Sequence, residues 1–151
     1  MQFLDNQMLM FSNLLSYKTN VKYKDIPRLL EYIRDNLNVL GISPKNRTIF
    51  TLHGENRKQE DVEIEVLIPV NGRLNDVQMY NFKTLFKLIN AVSVRHEGDF
   101  SLIPNTREGL LRYIEQKNYE SVTDPYYRII RLGTGNDCII DIYIGINSNI
   151  L

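Results

Sequence analysis

Three carboxylates and a set of tyrosines are the residues whose types and spacing most invite chemistry. In the run Val62-Glu63-Ile64-Glu65-Val66-Leu67-Ile68, acids alternate with aliphatic residues. Glu63 and Glu65 therefore project from one face of a strand, and Val62, Ile64, Val66 and Ile68 from the other. Ile139-Ile140-Asp141-Ile142-Tyr143-Ile144 repeats the pattern around Asp141. On a sheet covered on one side, such acids form the solvated face. On a second reading, Glu65 and Asp141 face each other where two similar halves meet and present negative charge to a cation or to a partner's basic groups. The chain has nine tyrosines, and a tyrosine can pack its ring while its hydroxyl stays at water. A tyrosine-lined cleft then suits a flat aromatic ligand or a protein surface, against ordinary core and rim packing for any single ring. Glu65, Tyr113, Tyr127, Asp141 and Tyr143 are the candidate ligand- or partner-binding residues.

Other chemistries find less. The two histidines, His53 and His96, lie in separate strands without an H-E-x-x-H arrangement, so no metal site is expected. His96-Glu97-Gly98-Asp99 reads as a solvated turn leading into a helix. No G-x-S-x-G elbow marks a serine nucleophile, and the single Cys138, in an apolar run, reads as a small core residue. Gly133-Thr134-Gly135 lacks the following helix and lysine of a phosphate loop and reads as a hairpin turn. No catalytic residue, metal or cofactor is assigned.

Positioning these residues requires helices and strands, and the chain supplies them twice. Leu29-Leu30-Glu31-Tyr32-Ile33 recurs 81 positions later as Leu110-Leu111-Arg112-Tyr113-Ile114, which would make Tyr32 and Tyr113 equivalent. Matching Glu65 with Asp141 gives a strand offset of 76. In the first half, 8–18 reads as a strand. A helix follows with Asp25 as N-cap, Pro27 in its first turn and Gly41 as its stop, and then strands at 47–53 and 60–70. The turn between those strands is 54–59. In the second half, 86–95 reads as a strand with Leu88, Asn90, Val92 and Val94 alternating. Ser101 caps a helix running to Lys117, and a hairpin of 126–132 with 138–146 ends the unit. Residues 76–85 read as a connector, with a short helix allowed. Neither helix is stable alone. Burying four large apolar side chains, at ~1.5–3 kcal/mol each before ordering entropy, requires a sheet beneath. The fold class is α+β, with duplicated β-α-β-β units forming antiparallel sheet and one helix per repeat. The expected organisation is one domain over 1–151, with repeats at about 6–71 and 86–147 and a linker at about 72–85.

The 151 residues carry 18 basic and 18 acidic side chains, for a formal net charge of zero. Without a basic excess, nucleic acid is not an expected partner. No apolar stretch reaches membrane-spanning length, and residues 1–15 lack a signal peptide's basic start and cleavage site. The single thiol fits a reducing compartment. The expected location is the cytoplasm, with no membrane partner.

The doubled order resembles the GyrI-like domain, the effector-binding part of several bacterial multidrug-sensing regulators. The resemblance rests on Leu40-Gly41-Ile42-Ser43-Pro44 before Thr48-Ile49-Phe50-Thr51-Leu52, and on Val62 onward through Ile68-Pro69-Val70. It continues from Glu97-Gly98-Asp99-Phe100 through the Leu-Leu-x-Tyr-Ile helix to Asp124-Pro125-Tyr126-Tyr127 and Asp141-Ile142-Tyr143-Ile144-Gly145-Ile146. It implies a ligand cleft with an acidic residue and aromatics. This chain has no tryptophan, and it carries Tyr126 and Tyr127 where such domains tend to place a glutamate. It keeps the acidic–x–Tyr pattern as Asp141 and Tyr143. No helix-turn-helix segment is read. A looser resemblance, to small stand-alone GyrI-like proteins near type VII secretion toxin loci of Gram-positive bacteria, implies a non-enzymatic accessory factor or chaperone for a secreted toxin. Three functions are expected in this order: that protein-binding role, binding of an aromatic or cationic small molecule, and hydrolysis of a small molecule.

Overall fold

The computed structural model describes residues 1–53, 61–74, 77, 79–134 and 136–147. The turn expected at 54–59, Asp76 and Gln78 of the expected connector and Gly135 of the hairpin turn lie outside them. The order is β1 (Phe3–Lys22), α1 (Ile26–Val39), β2 (Ile49–His53), β3 (Asp61–Pro69), β4 (Asn81–Gly98), α2 (Ile103–Gln116), β5 (Glu120–Ser121), β6 (Tyr126–Arg131) and β7 (Cys138–Asn147). A 3-10 turn precedes each helix. This is the expected α+β duplication. Two elements depart from expectation: β1 is far longer than 8–18, and β4 begins at Asn81, so the second half of the expected connector is strand. The chain divides into two compact units, Phe11–Phe86 and Met1–Met10 with Lys87–Leu151. Among the described residues, no helix is long and apolar enough to cross a membrane.

Both helices are built by the same local rules. Each opens on Ile-Pro, with the proline in the first turn, where a missing N–H breaks no helical bond. Asp25 occupies the first N-cap, but its side chain makes no capping bond. In the second half the capping residue is Asp99 rather than Ser101. Its carboxylate accepts the Ser101 N–H at 2.9 Å and the Ser101 hydroxyl at 2.8 Å, ahead of the 3-10 turn. Each helix ends on a residue in the left-handed region, Gly41 at φ 72° and Asn118 at φ 57°. Ile42 N–H bonds Leu37 C=O at 2.9 Å and Gly41 N–H bonds Asn38 C=O at 3.1 Å. Tyr119 and Asn118 bond Ile114 and Glu115 in the same way, both at 3.0 Å. These paired bonds are the Schellman stop.

The repeat is real, but its helical offset is 77, the distance from Ile26 to Ile103 and from Gly41 to Asn118. The Leu-Leu-x-Tyr-Ile match at 81 slips by four residues, close to one 3.6-residue turn, so it aligned the right face at the wrong height. Tyr32 and Tyr113 are therefore not equivalent. The strand match does hold. Lys18, Glu65 and Thr51 stand opposite one another across β1, β3 and β2, as Arg95, Asp141 and Arg128 do across β4, β7 and β6. Asn13 and Asn90, also 77 apart, both take positive φ (63° and 58°) inside the two long strands. Asparagine tolerates that conformation, and the one at Asn90 interrupts the alternation expected along 88–94.

In the unit Phe11–Phe86, antiparallel order β1-β3-β2 buries Val62, Ile64, Val66 and Ile68 on one sheet face, and α1 buries Ile26, Leu30, Ile33 and Leu37. In the other unit, β7 lies between β4 and β6, with β5 extending its far end. His96 fixes α2 to the face carrying Ile140 and Ile142. Its Nε2 lies 2.8 Å from the Asp99 carbonyl and its Nδ1 2.7 Å from Thr106 Oγ1. A carbonyl only accepts, so Nε2 is the donor, and in the neutral ring Nδ1 accepts the Thr106 hydroxyl proton. His96 is 4% exposed, so within the solvated turn read at 96–99 it is instead a buried anchor for α2, while Glu97 and Asp99 are exposed as expected. Thr106→Val keeps the shape and leaves Nδ1 unpaired, and is expected to cost about 1–3 kcal/mol in denaturant unfolding.

Candidate functional site

Glu65 lies in the unit Phe11–Phe86, in the middle of β3. The face it shares with Glu63 and Leu67 is not uniformly solvated, as the simplest reading of the alternation would have it. Glu63 is exposed, Glu65 is 8% exposed and Leu67 is fully buried. A carboxylate taken from water needs partners, and Glu65 has two within 2.7 Å of Oε2: the Ser16 hydroxyl and the Lys83 ammonium. Burial works to raise its pKa. Hydrogen bonds from Lys83 and Ser16, with the charges of Lys83 and Lys18, outweigh burial and hold the carboxyl below its ordinary value near 4.5.

The other four candidates belong to the second unit. Asp141 sits on β7 between Arg95 of β4 and Arg128 of β6 in register. Arg95 grips it with two bonds, Nε to Oδ1 at 2.8 Å and Nη2 to Oδ2 at 3.1 Å, the fork geometry that makes arginine–carboxylate pairs directional. Tyr143, two residues on, shares this face and stands opposite Tyr126 and Ser93. It is 6% exposed although it points away from the face α2 covers. Beyond it the strand needs Gly145. A Cβ there would come within 2.7 Å of Thr123 Cγ2 and 3.0 Å of Leu88 Cδ1, and Thr123 Oγ1 accepts the Gly145 N–H at 2.9 Å.

The structure thus brings Asp141 and Tyr143 together and leaves Tyr127 and Tyr113 elsewhere. Tyr127 pairs with Ile142 and so takes the opposite face, under α2, where it is fully buried with its hydroxyl 3.2 Å from Arg107 Nη1. A one-residue step along a strand reverses the side chain, so Tyr126, not Tyr127, accompanies Asp141. Tyr113 on α2 stacks on Phe3 at 4.6 Å and donates to Asp5, with the two carboxylate oxygens 2.9 and 3.0 Å away. Burial first, then the bond to Asp5, raises its phenol pKa. Its partners come from the first residues of β1, ahead of the strand expected at 8–18.

The remaining reactive groups are structural. Cys138 is buried, with Sγ 2.9 Å from the Gly98 carbonyl, and burial pushes its thiol pKa up. Among the described residues, no group of three or more His, Cys, Asp or Glu side chains is placed to hold a metal.

No family model matches the chain, and no curated protein matches it. Solved structures do. The C-terminal domain of EcmrR shares the fold with a TM-score of 0.77 at 15% identity, over 97% of this chain and 99% of that one. In a cryo-EM structure of the EcmrR–DNA complex the TM-score is 0.79, also at 15% identity, and 96% of this chain spans 57% of that longer chain. SAV2435 bound to tetraphenylphosphonium matches with a TM-score of 0.59 at 10% identity, covering 96% and 95% of the two chains. A hydrolase from Listeria innocua matches with a TM-score of 0.59 at 9% identity, covering 97% and 91%. At these identities the likeness is one of fold, and that fold is the α+β, antiparallel-sheet arrangement expected of GyrI-like domains.

Proposed function

We propose that this chain is a small-molecule-binding domain that takes a flat aromatic or cationic organic ligand against the Asp141–Tyr143–Tyr126 face, and that it binds without turnover. The observation that carries the reading is a carboxylate and two tyrosines gathered on the sheet face opposite the one α2 covers. An acid supplies charge and an adjacent ring supplies stacking or cation–π contact. The likeness to SAV2435, whose structure holds an aromatic phosphonium cation, supports the same ligand class. It favours that class over the toxin-chaperone role, for which neither the neighbours nor the geometry speak. Acid–base catalysis would need an unengaged carboxylate poised to exchange protons, whereas Arg95 grips Asp141, and Lys83 and Ser16 hold Glu65.

Thermal shift with tetraphenylphosphonium and with its neutral relative triphenylphosphine oxide tests the reading. At ten times the dissociation constant a bound ligand adds ~1.4 kcal/mol, about 3–5 °C for a domain this size. The cation is expected to give that shift, and Tyr143→Leu to diminish it. Equal shifts from both compounds, or none from the cation, would reject a cationic ligand.

A further inference from the structure

We infer that Asn71-Gly72 is a self-modifying site, where Asn71 converts spontaneously to aspartate and isoaspartate. It is the one Asn-Gly pair in the sequence. The pair stands just past β3, after Val70, whose N–H bonds the Asn13 carbonyl at 2.8 Å. Asn71 is exposed. Among the described residues, neither Asn71 nor Gly72 makes a hydrogen bond that would hold the side-chain amide or the Gly72 nitrogen away from reaction. Gly72 has φ 98°, and among the described residues no heavy atom beyond Gly72 and its two chain neighbours lies within 4 Å of where a Cβ would stand. The absence of that Cβ and the open space around it leave the nitrogen accessible to its neighbour's side chain.

The chemistry needs only hydroxide and water. The Gly72 nitrogen, deprotonated by hydroxide, attacks Asn71 Cγ. The N–Cγ bond forms, the Cγ–Nδ2 bond breaks and Nδ2 leaves as ammonia, taking a proton from water. The product is a five-membered succinimide. Water then opens the ring. Cleavage of the new N–Cγ bond restores the ordinary backbone with aspartate at 71, and cleavage of the original peptide bond leaves the chain running through the side chain as isoaspartate. Nothing is oxidised or reduced. Either product places a new carboxylate two residues from Arg73, whose guanidinium lies 5.5 Å from the Phe82 ring centre, and makes a chain of formal charge zero one unit negative. Isoaspartate also lengthens the backbone by one methylene immediately after the residue bonded to Asn13.

The test incubates the folded full chain in warm, mildly alkaline buffer, followed by isoelectric focusing and peptide mass mapping. Asn71→Gln and a sample held in denaturant run alongside. The expected result is an acidic species accumulating in the folded protein, with the mass gain of deamidation confined to the peptide containing residue 71, and loss of that species in Asn71→Gln. Conversion at 71 in denaturant but not in the folded chain would overturn the inference. So would conversion only at other asparagines, or an acidic species that persists in Asn71→Gln.

Discussion

Lys83→Met is expected to lower stability at neutral pH by about 2–3 kcal/mol, a large loss for one substitution at a half-exposed lysine. Methionine keeps the aliphatic stem, so little packing is lost. The cost arises because Glu65 keeps its charge while its ammonium partner, 2.7 Å away, disappears. Breaking a fully buried pair costs roughly 3–5 kcal/mol. Here the Lys83 side chain is 41% exposed and Ser16 still donates to the carboxylate, so the figure falls below that range. Adding Glu65→Gln in the same chain is expected to recover most of the loss, because a neutral amide still accepts the Ser16 hydroxyl and leaves no buried charge. The pH dependence has a definite sign. The folded pKa of Glu65 lies below its ordinary value near 4.5, so its contribution is fully present above that value and is lost as pH falls through the folded pKa. Denaturant unfolding should therefore show the gap between native and Lys83→Met widest above the carboxylate range and closing on acidification. A gap that ignores pH would locate the damage in packing instead.

Lys83 also shows where the sequence stops being readable. The faces of β3 and β7 follow from period-two alternation, and that rule placed Glu65 and Asp141 at repeat-equivalent positions. Helix faces were equally legible, but helix height was not. A stripe of Leu and Ile looks the same after a slip of four residues, and only the Ile-Pro openings at Ile26 and Ile103 and the stops at Gly41 and Asn118 fix the register. The partner of Glu65 was hidden because Asn81-Phe82-Lys83-Thr84-Leu85 does not alternate cleanly and reads as a connector. In the structure it is the start of β4. Likewise, nothing local distinguishes the Tyr127 and Tyr126 faces until Tyr126 is set opposite Tyr143. The His96–Thr106 contact joins a strand to a helix across a turn, and an isolated histidine at a strand end gives no sign of it. Pairwise chemistry across elements needs the register, and the register needs the coordinates.

Arg95→Ala is expected to strengthen binding of an organic cation by roughly 2–10-fold, while Asp141→Asn weakens it and the double variant matches Asp141→Asn alone. Arg95 occupies the carboxylate with two of its donor nitrogens, Nε and Nη2, and half of its side chain is exposed. A cation seated against Asp141 competes with that guanidinium for the carboxylate charge, so the pair acts as a built-in competitor. An exposed ion pair is worth about 0.2–1 kcal/mol, more when it is bidentate, and removing it returns that amount to the ligand as affinity. Stability should fall by less than in Lys83→Met, because the Arg95 and Asp141 side chains are 51% and 16% exposed against 41% and 10% for Lys83 and Glu65, and Arg128 remains opposite Asp141 in register. The contrast with Lys83→Met is the informative comparison. The two acids occupy equivalent places in the repeat, yet losing the base beside Glu65 should unfold the protein more readily, and losing the base beside Asp141 should make it bind better. Isothermal titration of tetraphenylphosphonium into the three variants separates the outcomes. Unchanged affinity in both Arg95→Ala and Asp141→Asn would remove Asp141 from the site altogether.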